Sequence, residues 1–371
     1  MKSYPFIPVL IVAVMLGISA CSSSDEGFTP DTAQTTMILD TVGETTEPSP
    51  TPTPTPTPAP EPVYGEQSSS DPIQVTVSFV GDLTLTEDSR SSSSIGFNAV
   101  VGDDYEYCFQ NCKDIFLSDD LTLANLENAV TDLTSYAQKE FVFKMKPEAL
   151  VMLTDAGIEA VNIANNHTKD YKQEGLQDTR DNLDEYGIIW SDADNVAIFE
   201  TANGIKIGMF GLGNSGTLAQ GKACIDELKE MGANIIIASC HWGVEKMYTP
   251  NNDQIQLAYG LIDYGADIII GTHPHRLQPI EVYNGKYICY SLSNFCFGGN
   301  NILSDPDSCI IQCTFIMDSE GQYCVDYKLN VIPYSQTSTR PGNDFCPAPY
   351  EWGTEEYYRV LSKLGWSSED E

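Results

Sequence analysis

The stretch Ile268-Ile269-Ile270-Gly271-Thr272-His273-Pro274-His275 reads as a short apolar strand that stops in two imidazoles. In open α/β sheets, ligands sit just beyond the carboxyl ends of the strands. Four other strand candidates also end in polar, metal-capable groups. Ser78-Phe79-Val80 runs into Gly81-Asp82, and Leu123-Ala124-Asn125-Leu126 runs into Glu127. Val161-Asn162-Ile163-Ala164 runs into Asn165-Asn166-His167, and Ile236-Ile237-Ala238-Ser239-Cys240 into His241-Trp242-Gly243. The chain has 4 histidines, and all of them fall at these ends. A lone histidine is ordinarily a surface or core residue, but a full set at equivalent positions points to a shared site. Imidazole with carboxylate suits Zn, Mn or Fe, whereas Ca takes oxygen ligands alone.

Around these segments, short apolar runs alternate with helical patterns from Ile73 onward, which gives an α/β domain. Helices are expected over Tyr105–Leu117, Pro147–Ala156, Gln173–Tyr186, Ala223–Met231 and Asp253–Tyr264. Asn203-Gly204 and Asn284-Gly285 are hairpin signals between strand candidates. Gln322–Ile332 is expected to close the sheet. Thr354–Leu364 is a possible terminal helix, with Tyr357, Val360, Leu361 and Leu364 on one face and Gly365 after it.

Several of these segments, in order, resemble the motifs of the CapA (poly-γ-glutamate capsule-synthesis) family. They are Gly81-Asp82-Leu83-Thr84-Leu85, Asn125-Leu126-Glu127, Ala164-Asn165-Asn166-His167, His241-Trp242-Gly243-Val244-Glu245 and Gly271-Thr272-His273-Pro274-His275. Leu277-Gln278-Pro279-Ile280-Glu281 and Tyr290-Ser291-Leu292-Ser293-Asn294-Phe295 complete the set, and the match covers about residues 73–335. The resemblance implies a fold similar to the calcineurin-like metallophosphatases, a four-layer α-β-β-α sandwich with mixed sheets. It further implies two divalent metal ions (Mn, Fe or Zn). Asp82 and His275 would bind the first, Asn166, His241 and His273 the second, and Glu127 would bridge them. His167 would be the catalytic proton donor. This chain departs from the metallophosphatases at Thr84, where those enzymes usually carry histidine, and at Glu127, where they usually carry aspartate.

Lys144, Lys146 and Arg276 are basic residues near these motifs, and they read either as substrate-binding cations or as solvated charge. Glu245 and Asn294 are candidate partners of the metal ligands. Residues 1–21 read as an export signal whose apolar run is too short to span a bilayer. It ends in Ile18-Ser19-Ala20-Cys21, which resembles a bacterial lipobox with Cys21 as the lipidation site; an ordinary secretory signal is the alternative. Residues 22–72 hold nine acidic residues, no Lys or Arg, and eight successive X-Pro pairs from Glu47-Pro48 to Glu61-Pro62. At about 3.1 Å per residue the Pro-rich part is a polyproline II spacer of roughly 50 Å. Residues 336–371 are expected to form a C-terminal extension with a short helix.

Formal net charge is −34, from 53 acidic and 19 basic residues. That excludes nucleic acid as a partner, because phosphate binding needs clustered Lys and Arg. It suits a soluble surface protein and attracts cations, and a polyanionic substrate would need a local basic patch or bound metal to offset it. The 11 cysteines show no disulfide framework or paired metal-site spacing, and several lie in apolar strand-like runs where buried thiols are common.

Three functions follow as expectations. The first is an extracytoplasmic, lipid-anchored metal-dependent hydrolase or transferase acting on poly-γ-glutamate or another anionic envelope polymer. The second is a non-catalytic subunit working with capsule synthesis or export proteins. The third is an extracytoplasmic phosphoesterase, which rests on fold resemblance alone.

Overall fold

Each strand of the core alternates its side chains between two faces, and the apolar runs are long enough to bury both. The computed structural model describes residues 72–367. The expected signal with Cys21, and all of the expected linker but Pro72, lie outside the described residues. In chain order the strands of the first half are β1 (Gln74–Thr84), β2 (Leu121–Leu126), β3 (Ala129–Val130), β4 (Lys144–Met145), β5 (Ala160–Asn162), β6 (Ile189–Ser191), β7 (Ala197–Glu200) and β8 (Lys206–Leu212). Those of the second half are β9 (Ile235–His241), β10 (Ile268–Thr272), β11 (Leu277–Tyr283), β12 (Lys286–Leu292), β13 (Asn294–Phe297), β14 (Asp307–Met317), β15 (Cys324–Ser335) and β16 (Ala348–Pro349). The α-helices are α1 (Phe97–Val100), α2 (Lys113–Phe116), α3 (Val151–Ala156), α4 (Lys172–Glu185), α5 (Leu218–Glu230), α6 (Asn252–Tyr264) and α7 (Glu355–Leu364).

One sheet runs β16-β15-β14-β1-β2-β5-β6, with β13 also paired to the end of β1; the other runs β11-β12-β10-β9-β8-β7. Both are mixed. β1, β2, β5 and β6 are parallel while β14 and β15 are antiparallel; β8, β9, β10 and β12 are parallel while β7 and β11 are antiparallel. Between the sheets lie Val77, Phe79 and Leu123 of the first and Ile207, Ile237 and Ile270 of the second. The outer face of the first packs Ala124 and Val161 on Leu153, Leu176 and Leu183 of the helices. The outer face of the second packs Phe210 and Ile236 on Ile225, Leu228 and Leu261. This is the four-layer sandwich with mixed sheets that the resemblance implies.

The period of two then places the site. The rows facing the other sheet, Leu121 and Leu123, Ala160, Ile235 and Ile237, Ile268 and Ile270, continue in steps of two as Asn125, as Asn162, as Ser239 and then His241, and as Thr272. The inter-sheet layer thus turns from apolar to polar at the carboxyl ends of the strands.

Several elements differ from expectation. Tyr105–Leu117 is a series of turns with only α2 helical, because Tyr, Cys, Phe and Asn are weak helix formers and Cys108, Phe109 and Cys112 are drawn into the core instead. Helix α5 starts at Leu218, ahead of the expected Ala223, because Thr217 and Gln220 form a reciprocal capping box. Gln322–Ile332 does not close its sheet, since β16 pairs beyond it. Helix α7 is capped by Thr354 and buries Tyr357, Val360, Leu361 and Leu364, joining the inter-sheet cluster. Its Arg359 and Lys363 hold Asp307 at 2.7 and 2.8 Å.

Candidate metal centre

Asp82 sits where β1 bulges, opposite Asn125 of β2 and Asn294 of β13. The bulge depends on Gly81, since a Cβ there would lie 1.9 Å from the Ser293 carbonyl oxygen. That close approach lets the Asp82 amide donate to the same oxygen at 2.9 Å. The Asp82 carboxylate is fully buried. Its Oδ1 accepts from Asn125 Nδ2 at 2.7 Å, and Asn125 Oδ1 accepts in turn from Asn162 Nδ2 at 2.9 Å. This row of amides uses the ends of β2 and β5 to orient one carboxylate.

The second sheet supplies the histidines. His241, the last residue of β9, is fully buried. Its Nδ1 pairs with Thr272 Oγ1 at 3.0 Å, which leaves Nε2 facing Asn166 Oδ1 at 2.7 Å and Glu127 Oε1 at 3.3 Å. After β10 the chain turns through His273 at φ +92° and His275 at φ +51°. Such left-handed conformations are costly for residues with a Cβ and persist where the surroundings over-determine them. Here they bring His275 Nδ1 to 3.4 Å from Asp82 Oδ2 and 2.7 Å from Asn294 Oδ1. The His273 amide donates to Asp82 Oδ2 at 3.3 Å.

Both carboxylate oxygens of Glu127 and Nδ1 of His273 are buried without a hydrogen-bond partner among the described residues. A buried carboxylate left so costs several kcal/mol of desolvation, so these atoms fit a cation. Two groups of ligand atoms each lie within 4.8 Å of one another and share Glu127: Asp82, Glu127 and His275, and Glu127, His241 and His273. A third group joins exposed Glu245 to His273 and His275. Nitrogen and oxygen donors in this mixture fit Mn, Fe or Zn. Thr84 is turned away; its Oγ1 donates to the Glu127 carbonyl at 3.4 Å.

The protonation pattern follows from burial. Desolvation, and then the Asp82 charge, push Glu127 up to about 8. Desolvation lowers His241 to about 4 and, with His241 adding to it, His273 to about 4. For His275 desolvation is outweighed by Glu127 and Asp82, which raise it to about 9. Desolvation opposes ionisation of Asp82, but the His275 hydrogen bond and the neighbouring histidines keep it below its ordinary value. With Glu127 and His275 raised, the metal-free fold holds protons that the unfolded chain has already given up. Their stabilisation is therefore lost as pH rises through about 8 and about 9. The lowered His241 and His273 stabilise above 6.5 and lose that contribution as pH falls toward about 4. A divalent cation would displace the Glu127 and His275 protons. The rise in melting temperature on adding Mn or Zn should therefore grow between pH 6.5 and 8, compared with samples in chelator; a metal-induced rise that does not vary with pH would contradict this protonation pattern.

His167 is buried beside the centre, with Nδ1 2.7 Å from Asp170 Oδ2. Asp170 also accepts from the Phe143 amide at 2.7 Å and from Lys139 Nζ. The His167 ring lies 4.7 Å from the Phe143 ring, Phe143 lies 6.2 Å from Phe297, and Phe297 lies 5.2 Å from His275. An aromatic wall thus joins His167 to His275 on one side of the cluster. Asp170, Asn125 and Asn162 were not picked out as site residues from the sequence. Asp170 follows His167 by three residues, which is its only signal. Of the basic candidates, Lys144 donates to the Leu133 carbonyl at 2.6 Å and lies over Tyr171. Lys146 is exposed and 3.5 Å from Glu148, and Arg276 donates to the His275 carbonyl and to Ser304 Oγ at 2.6 and 2.7 Å.

The profile of the family described as "Bacterial capsule synthesis protein PGA_cap" matches residues 76–299. The PGA biosynthesis protein CapA of Bacillus subtilis (strain 168) is 33% identical over 275 residues, covering 67% of this chain and 70% of that protein. The capsule biosynthesis protein CapA of Bacillus anthracis is 29% identical over 301 residues, covering 72% of this chain and 70% of that protein. The crystal structure of a novel phosphatase from Mycoplasma pneumoniae aligns with a TM-score of 0.42 at 13% identity, over 71% of this chain and 94% of that one.

Proposed function

The chain belongs to the PGA_cap family of bacterial capsule synthesis proteins, and from that premise we propose a lipid-anchored, extracytoplasmic protein with a two-cation, hydrolase-type site for an anionic γ-glutamyl polymer of the cell envelope. The observation that carries this reading is the buried Glu127 carboxylate, without a hydrogen-bond partner among the described residues, between two sets of inward-facing ligands. Asp82, Glu127 and His275 would hold one cation; Glu127, His241, His273 and Asn166 would hold the other. When bound, the cations supply Lewis acidity and positive charge beside the group under attack. Asp170 fixes the His167 ring through Nδ1, leaving Nε2 to hand a proton to the departing atom. The Phe143 ring packs against one side of His167 and is backed by Phe297. The Bacillus subtilis relative is named for PGA biosynthesis and the Bacillus anthracis one for capsule biosynthesis, which supports the polymer, and a cation centre supplies the local positive charge that a polyanion needs against a net −34.

The test is incubation of the chain with short γ-linked glutamyl oligomers and Mn or Zn, read by mass spectrometry. Metal-dependent shortening or transfer that chelator stops supports the reading. Oligomers left intact at every metal concentration would favour a second one, a non-catalytic subunit that binds polymer within a capsule-synthesis assembly. One observation favours that alternative: Thr84 is spent on a carbonyl, so β1 adds no ligand beyond Asp82. For the anchor, Ile18-Ser19-Ala20-Cys21 supports lipidation at Cys21. Cys21→Ala should release the protein to the medium or leave it unprocessed on fractionation, and unchanged membrane retention would remove the anchor from the account.

A further inference from the structure

Beside the centre, a cavity of about 460 Å³ starts at Asn165 and Asn166 and runs over the carboxyl ends of β5, β6 and β8. Its volume falls in the range of small-ligand pockets, about 300–1,000 Å³. Asn166 is common to the cavity and to the centre, since its Oδ1 faces His241 Nε2. The opposite wall is the loop Gly213–Gly216 with Asn214 and Ser215 exposed. This loop also lines a second cavity of about 460 Å³ that continues toward Asn251 and Gln254. Two cations reach the first cavity, and their states differ. Arg180 is spent, with Nε 2.9 Å from Asp192 Oδ2 and its guanidinium over the Trp190 ring. Lys169 is exposed and its ammonium has no hydrogen-bond or ion-pair partner among the described residues. In a chain with 53 acidic and 19 basic residues, an unpaired ammonium at the rim of a cavity lined by amides and, on the side of β6, by Asp192 and Asp194 is the group placed for an incoming anion.

We propose that this cavity is the subsite for the repeats that flank the bond held at the metal centre, with Lys169 taking a free carboxylate of the chain. The inference rests on the γ-glutamyl reading above. A γ-linked glutamyl chain presents an amide and a free α-carboxylate in every repeat. The side-chain amide of Asn214 and Nδ2 of Asn166 match the former and Lys169 the latter, whereas the Asn165 amide is taken by the Leu126 carbonyl and the His167 N–H. The continuation past Gly213–Gly216 gives an extended chain a path away from the centre. An orthophosphate or a lone carboxylate would meet Lys169 but would use none of the amides.

The test is calorimetric titration of metal-reconstituted full-length chain with a short γ-linked glutamyl oligomer, with an α-linked glutamyl oligomer and inorganic phosphate as comparisons. Lys169→Gln should weaken γ-oligomer binding about tenfold, the worth of one charge-assisted hydrogen bond, with metal content unchanged. Ala193→Trp, at an exposed position lining the cavity, should weaken it at least as much. Lys328→Gln removes the same charge from exposed β15 and should leave binding as it is. If the parent binds the oligomer and Lys169→Gln and Ala193→Trp bind it equally well, the subsite lies elsewhere and the polymer reading survives. Equal weakening by Lys328→Gln, or phosphate binding as tightly as the oligomer, would reduce Lys169 to general charge attraction and overturn the inference. A parent that binds no oligomer would overturn the polymer reading and the subsite with it.

Discussion

Glu127→Gln should lower metal affinity by about a hundredfold or more while leaving the metal-free fold nearly as stable as the parent near neutral pH. The two halves of this result have separate causes. Without metal, burial and Asp82 hold the Glu127 proton up to about 8. At pH 7 the side chain is therefore a neutral acid of nearly the shape of glutamine. Neither oxygen has a hydrogen-bond partner among the described residues to lose, so the swap should cost within about 1 kcal/mol. With metal the carboxylate must be ionised and belongs to both ligand sets. Replacing it with an amide removes a full negative charge shared by both positions, and a hundredfold is about 2.7 kcal/mol. Calorimetric titration with Mn or Zn, beside urea unfolding in chelator, measures both. A large loss of metal-free stability, or parent-like affinity, would mean that Glu127 is a structural carboxylate and not a ligand.

The second large effect belongs to His167→Asn, which should lower turnover by about 10²–10⁴-fold, the usual contribution of one positioned proton donor, with metal content unchanged. His167 lies outside all three ligand groups, and its Nδ1 is taken by Asp170. Removing the ring therefore removes a proton carrier and no ligand. Metal lost together with turnover would mean that His167 helps to build the centre. A capsule phenotype that survives the substitution in the living cell would move the protein to the assembly reading.

Strand ends were legible in the sequence because the inter-sheet rows are apolar until their last residues. The eye meets Ile268–Ile270 or Ile235–Ile237 and then an imidazole. The ligand groups drawn from the resemblance, Asp82 with His275 and His241 with His273, fall together around Glu127. The amide row Asn162, Asn125, Asp82 was not legible, because it crosses three strands whose order in the sheet no local pattern fixes. Asp170 was missed for a related reason: its partners His167, Phe143 and Lys139 come from separate segments and meet only in the fold. β13 is four residues long and pairs with the bulged end of β1, too short to show alternation. Lys144 and Arg276 drew attention as rare cations in an acidic chain, but each donates to a backbone carbonyl. Lys169, whose ammonium is free among the described residues at the cavity beside the centre, was marked by no motif.

The account stands most directly on metal stoichiometry, measured by elemental analysis of the reconstituted chain, parent beside His241→Ala and Glu127→Gln. His241 belongs to one ligand set and Glu127 to both. The parent should hold about two ions, His241→Ala about one, and Glu127→Gln close to none. A parent that binds no Mn, Fe or Zn after reconstitution, or variants that hold as much as the parent, would contradict the metal centre itself.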